Sequence, residues 1–178
     1  LALERQDQFD VIHLSVFSFY LALPLIKFFH KPVVVTVHGY CKITKPESKK
    51  FFDSYPEPHY VFPSEAFVKN WQRPAKFEII KHGIEIDKFP FSDQKGDYYF
   101  WMGRVTEAKG VEDAISFAEA TGSQLILAGN LDDPVYFREK VEPHLSAKIK
   151  FVGELDFNQK IKYYQNAKAT LFLSKINE

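Results

Sequence analysis

The sequence predicts an α/β protein built from two parallel-sheet domains, and three observations carry that reading. Residues 33–37 read Val-Val-Val-Thr-Val, a β-branched run without polar alternation that suits a parallel strand covered on both faces. From Tyr98 onward, short apolar runs alternate with amphipathic helical segments, the pattern of repeated β-α-β units. Between the two halves, Lys88 to Asp97 holds Pro90, Gly96 and mixed charges without periodicity, which marks a boundary. The expected organisation is a first domain over 1–90, a linker over 91–97 and a second domain over 98–178.

In the first half, Phe9 to Leu14 reads as a buried strand, and Ser15 or Ser18 caps a helix that runs to about Phe29 before His30-Lys31-Pro32 stops it. Pro32 to His38 is the next strand. His38-Gly39 ends it at the carboxyl edge, where open parallel sheets place their ligand sites. A histidine there either faces a ligand or simply bonds to a neighbouring loop. Residues 41–58, with Lys42, Lys45, Lys49, Lys50 and three prolines, read as a solvated excursion from the sheet. Tyr60 to Pro63 is a short strand, and Ser64-Glu65 offers a cap and a first-turn acid for a helix reaching about Trp71. Phe77 to Lys81 is a further strand, followed by His82-Gly83-Ile84-Glu85, a turn that needs glycine's freedom.

The second half is cleaner, with strands at 98–102, 124–128, 149–152 and 169–173 and helices at 110–121, about 134–145 and 157–166. Gly122 ends the first of these helices. Asp156 with Gln159 fits a capping box, and Phe157, Ile161 and Tyr164 line one face behind it. Gly103, Gly129 and Gly153 each follow directly on a strand. They either line a sheet edge that a phosphate can approach closely or are ordinary turn glycines.

The chemistry centres on Tyr98 to Gly110, a strand, a glycine turn and a basic loop that opens a helix. Arg104 and Lys109 flank that helix N-terminus, with Val111, Ala114, Ile115 and Ala118 on its apolar face. Free N–H groups, the positive helix end and two cations together suit a phosphorylated ligand. The alternative is that both are solvated surface charges.

Composition narrows the rest. In 178 residues, 46% are hydrophobic and 18 are Phe, enough for a substantial core. With 23 basic against 23 acidic residues there is no electrostatic case for nucleic acid as a partner, so any anion site is local. The single Cys41 forms no internal disulfide, no Cys/His cluster has metal-site spacing, and the expected location is cytoplasmic. Val11 to Ile26 is shorter than the ~20 apolar residues of a membrane span and contains Pro24. Phe17, Phe19, Tyr20, Phe28 and Phe29 beside Lys27 and Lys31 offer a peripheral membrane contact as a further reading.

Taken in order, Asp10-Val-Ile-His13, Val35-Thr-Val-His38-Gly39, Pro63-Ser-Glu65, His82-Gly83-Ile84-Glu85, Gly103-Arg104 with Lys109-Gly110, Leu127-Ala-Gly129, Phe151-Val-Gly153 and Leu173-Ser-Lys-Ile-Asn-Glu178 resemble group 1 (family 4) glycosyltransferases. The resemblance runs nearly the whole length. It implies the GT-B architecture of two Rossmann-like domains, both incomplete here, in an internal stretch of a longer enzyme that is inactive by itself. It implies a hexosyltransferase moving a sugar from a nucleotide-diphosphate sugar to a hydroxyl acceptor, with retention and without a metal or cofactor, in polysaccharide or glycoconjugate biosynthesis. By the same resemblance Gly103, Arg104 and Lys109 hold the donor diphosphate, His38 faces the transferred sugar across the interdomain cleft, and Glu178 is the first of two sugar- and ribose-binding glutamates. Gly39, Gly83, Gly129 and Gly153 line the cleft. Leu173-Ser174 stands where Pro-Ser is usual, and His82 and Glu85 replace the commoner Asn and Asp. The alternatives are a catalytically inert binding or scaffolding protein of the same fold and a sugar-nucleotide epimerase.

Overall fold

The apolar runs form two four-stranded parallel sheets in the computed structural model, which describes residues 2–15, 19–38, 45–70 and 74–175, with backbone alone at 19, 20, 45–48 and 70. The chain divides into two units between Ile84 and Glu85. Residues 89–97, including the 91–97 stretch, belong to the second unit, where Gln165 Nε2 donates to the Pro90 carbonyl and Gln124 Nε2 to Asp97.

The first unit joins β1 (Ile12–Ser15), β2 (Val33–Thr36), β3 (His59–Phe62) and β4 (Phe77–Ile79) side by side in sequence order. Its core is aromatic. Phe52 meets Tyr60 and Phe62 edge-on at 4.8 and 6.2 Å between ring centres, and Phe62 meets Phe77 at 6.0 Å. Leu23, Ile26, Val33, Val35, Val37, Phe67 and Val68 complete it. Tyr60 is fully buried and its hydroxyl donates to the Tyr55 carbonyl at 2.8 Å. Burial, and then the nearby Glu57, push that phenol above its ordinary range.

Four expectations for this half are corrected. The helix expected to run to Phe29 is α1 (Phe19–Ala22) followed by 3-10 turns over Leu23–Phe28, because Pro24 has no N–H for an i→i−4 bond. Ser15 lies in β1 and does not cap it, while Ser18 lies outside the described residues. The polar excursion contains α2 (Lys45–Ser54), a helix whose Phe52 sits in the core although Lys49 and Asp53 pair on its exposed side. β2 is not covered on both faces: Val33 and Val35 are buried, whereas Val34 and Thr36 are half-buried on the side that carries polar partners. α3 (Glu65–Asn70) forms as expected, and the Phe67 N–H donates to the Ser64 hydroxyl at 3.3 Å.

An exposed apolar stripe includes Leu21, Leu25 and Phe28, at 70%, 48% and 67% exposure. Phe29 instead packs against the core, and the Phe17, Phe19 and Tyr20 side chains lie outside the described residues, as does Cys41. Among the described residues no helix is long and apolar enough to cross a membrane.

The second unit has β5 (Tyr98–Met102), β6 (Gln124–Ala128), β7 (Ile149–Phe151) and β8 (Ala169–Leu171) in the spatial order β7-β6-β5-β8. Between them run α4 (Val111–Thr121), α5 (Pro134–Lys140) and α6 (Phe157–Gln165). Phe100 and Trp101, neighbours on β5 that point to opposite faces, are both buried, so this strand is covered on both sides. Val111, Ala114, Ile115 and Ala118 of α4 pack on Leu125 and Leu127, as the helical spacing requires. Asp156 and Gln159 close the capping box reciprocally, at 2.8 and 3.0 Å. The helix expected to 145 ends at Lys140, where Pro143 forces a 3-10 turn over Glu142–His144.

Candidate functional site

The strand order of the second unit reverses direction beside β5. From β5 the chain first builds outward through β6 and β7, then returns to lay β8 against the other edge of β5. β5 and β8 are therefore the pair of strands at which the strand order switches direction, and the carboxyl ends at such a switch are the position at which open α/β sheets take their ligands.

The loop after β5 is fixed from several sides. The Gly103 N–H donates to the Ala128 carbonyl at 3.1 Å and the Val105 N–H to the Asn130 carbonyl at 2.9 Å, which ties the loop to the one after β6. Val105 is fully buried, so its neighbour Arg104 stays at the surface. The indole of Trp101 donates to the Lys109 carbonyl at 3.2 Å. The Lys175 N–H, in the segment after β8, donates to the Ala108 carbonyl at 2.9 Å.

Two glycines make this packing possible. Gly129 has φ of 144°, and a Cβ there would lie 1.7 Å from the Gly103 carbonyl oxygen. Gly110 has φ of 71°, and its Cβ would lie 2.1 Å from the Leu173 carbonyl oxygen. Both positions exclude every side chain. Gly103 contributes its carbonyl to this contact, and a Cβ on it would meet only ordinary van der Waals neighbours at 3.4 Å and beyond. Gly153 accepts the Gly129 N–H at 2.8 Å, so Gly103, Gly129 and Gly153 form one row along the edge. Gly83, expected to need glycine's freedom, has neither a positive φ nor any atom within 4 Å of a Cβ. That expectation is corrected: the turn is exposed and tolerates a side chain.

Three ionic groups at this edge have identified partners. Arg104 Nη1 donates to Asp132 Oδ2 at 3.2 Å, and Lys175 Nζ pairs with Asp113 Oδ2 at 3.2 Å. Glu112, in the first turn of α4, accepts from the Tyr136 hydroxyl at 2.7 Å. Burial, and then this bond to Glu112, raise the Tyr136 phenol above its ordinary range. Arg104 and Lys109 both lie on this loop, Arg104 exposed and Lys109 half-buried. Asp132, Asp113 and Lys175 were missed by sequence reasoning. A signal for Asp132 existed: Asp133 caps α5, accepting from Val135 and Tyr136 N–H at 2.9 and 3.1 Å, which leaves the preceding acid for another cation.

The first unit presents a different edge. Ser15 Oγ and His38 Nε2 lie 2.8 Å apart, His13 Nε2 and Thr36 Oγ1 2.7 Å apart, and the His38 ring stacks on His82 at 5.4 Å. His38 is exposed. Gly39 and Glu178 lie outside the described residues. Among the described residues no group of three or more His, Cys, Asp or Glu is placed to hold a metal ion.

Two Rossmann-like parallel-sheet units of this kind define the GT-B type of fold, and solved glycosyltransferases share it. The chain matches the structure of Anabaena Alr3699/HepE in complex with UDP with a TM-score of 0.77 at 13% identity, over 98% of this chain and 56% of that one. The same protein in complex with UDP-glucose gives 0.74 at 13% identity, over 98% and 56%. AviGT4, a glycosyltransferase involved in avilamycin A biosynthesis, gives 0.66 at 20% identity, over 93% and 46%. The chain therefore spans about half the length of these structures. No protein-family model and no curated protein matches it.

Proposed function

We propose that the protein carrying this chain transfers a hexose from a nucleotide-diphosphate sugar to a hydroxyl acceptor, with retention and without a metal. The observation that carries the reading is the β5–α4 loop: Arg104 and Lys109 sit on a backbone pinned at four hydrogen bonds beside the strand-order reversal. A departing nucleoside diphosphate gains negative charge in the transition state, and fixed cations with helix N–H groups stabilise that charge without reorganising. Arg104 and Lys109 are assigned to the diphosphate, His38 to the transferred sugar and Glu178 to the donor. The shared GT-B fold and the family-like order of motifs support these assignments.

The test is turnover and binding by the protein that carries this chain, offered UDP-, GDP- and ADP-sugars in turn. Transfer from at least one donor, weakened by Arg104→Ala, is the expected result. Failure to bind or turn over any of them contradicts the proposal.

A further inference from the structure

Among the described residues Asp132 is the acid that pairs with the exposed arginine of the loop, and its placement is not left to side-chain chance. The loop that carries it is tied to the Arg104 loop by two backbone hydrogen bonds, Gly103 to Ala128 and Val105 to Asn130, and by the Gly103–Gly129 contact that admits no Cβ. On its other side Asp133 caps α5, fixing the chain immediately after Asp132. The Asp132 carboxylate is 36% exposed and the Arg104 side chain 59%, so the pair stands at the surface rather than in the core. A surface pair of this kind adds little to stability. It does restrict a long, rotamer-rich side chain. A guanidinium carries five N–H donors, and the bond from Nη1 to Asp132 leaves the others for a second anion.

We propose that Asp132 is a positioning residue that holds the Arg104 guanidinium in the orientation from which its remaining donors meet the donor diphosphate. The proposal rests on the assignment of Arg104 to that diphosphate. The opposite role for the same carboxylate is to compete with the diphosphate for Arg104 and to repel it. The two roles differ in sign, because a competitor's removal tightens donor binding whereas a positioner's removal weakens catalysis.

A double-mutant cycle with Asp132→Ala and Arg104→Ala separates them, measured as kcat and KM with whichever of the UDP-, GDP- and ADP-sugars is turned over, and as binding of the matching nucleoside diphosphate. Asp132→Ala is expected to lower kcat/KM about five- to tenfold with the larger part in kcat, since a misaligned guanidinium loses most where the leaving-group charge is greatest. In the Arg104→Ala background the same change should alter kcat/KM by less than about twofold, because the group it orients is gone. Asp132→Asn, which keeps an acceptor oxygen in the same place, should recover part of the loss. Tighter binding of the nucleoside diphosphate by Asp132→Ala overturns the proposal in favour of competition, and an equal loss in both backgrounds overturns it in favour of a general structural role. If Arg104→Ala itself changes neither constant, the assignment of Arg104 to the diphosphate fails, a result distinct from a failure of Asp132 alone.

Discussion

The two sheets end differently at their carboxyl edges. In the first unit the strands follow one another in space as in sequence, and the edge displays side chains, with His13 bonded to Thr36 and Ser15 to His38 across β1 and β2. In the second unit the order reverses beside β5, and the edge is largely backbone, packed so closely at Gly129 and Gly110 that no Cβ fits. The first edge offers titratable and hydroxyl groups. The second offers fixed backbone and the cations Arg104, Lys109 and Lys175. The second edge therefore carries the features that suit an anion.

The largest effect is expected where the second edge is tightest. Gly129→Ala combines a conformation costly for any side chain with overlap on the Gly103 carbonyl, together about 2–6 kcal/mol. Urea unfolding followed by tryptophan fluorescence measures it, and a loss below ~1 kcal/mol would mean that the glycine row is a loose turn. In the first unit, Tyr60→Phe removes the bond to the Tyr55 carbonyl and should cost about 0.5–1.5 kcal/mol at neutral pH. Its pH dependence has a definite sign. Burial raises the folded-state pKa of Tyr60 above its ordinary 10.0, so the contribution is present below that value and is lost as pH rises beyond it. The Phe variant should therefore lose less stability than the wild type between neutral and strongly alkaline pH, and an identical decline in both would contradict this. At the smallest end, Gly83→Ala lies in open space without a positive φ. It should stabilise by about 0.4–1 kcal/mol through the unfolded chain, the reverse of Gly129→Ala.

Legibility divided along the same line. In the second unit β5 and β6 fall on the expected 98–102 and 124–128, and the Asp156 capping box closes as its spacing requires. Those features are set by local periodicity and local cap chemistry. In the first unit α2 was hidden because Phe51 and Phe52 are embedded in a lysine- and proline-rich stretch whose polarity reads as loop. α1 was overextended because the apolar run masks the break that Pro24 imposes. At the candidate site, the cations and glycines could be picked out by type. Their partners could not, since the Arg104–Asp132 bond joins residues 28 positions apart and depends on how β5 and β6 register. Nor does sequence distinguish Gly129, where a carbonyl lies 1.7 Å from a Cβ, from Gly83, where nothing lies within 4 Å.

The most direct test of the central claim compares three basic residues of the second unit by binding of the matching nucleoside diphosphate and by kcat/KM. Lys150 lies exposed on β7 and serves as the reference. If Arg104 and Lys109 clamp a diphosphate, each contributes a charge-assisted hydrogen bond of about 1.5–3 kcal/mol, so Arg104→Ala and Lys109→Ala should each lower kcat/KM by about ten- to a hundredfold or more. Lys150→Ala should stay within about twofold, as expected for an exposed charge. Equal, small effects at all three positions would contradict the account and leave the loop after Met102 as no more than a charged turn.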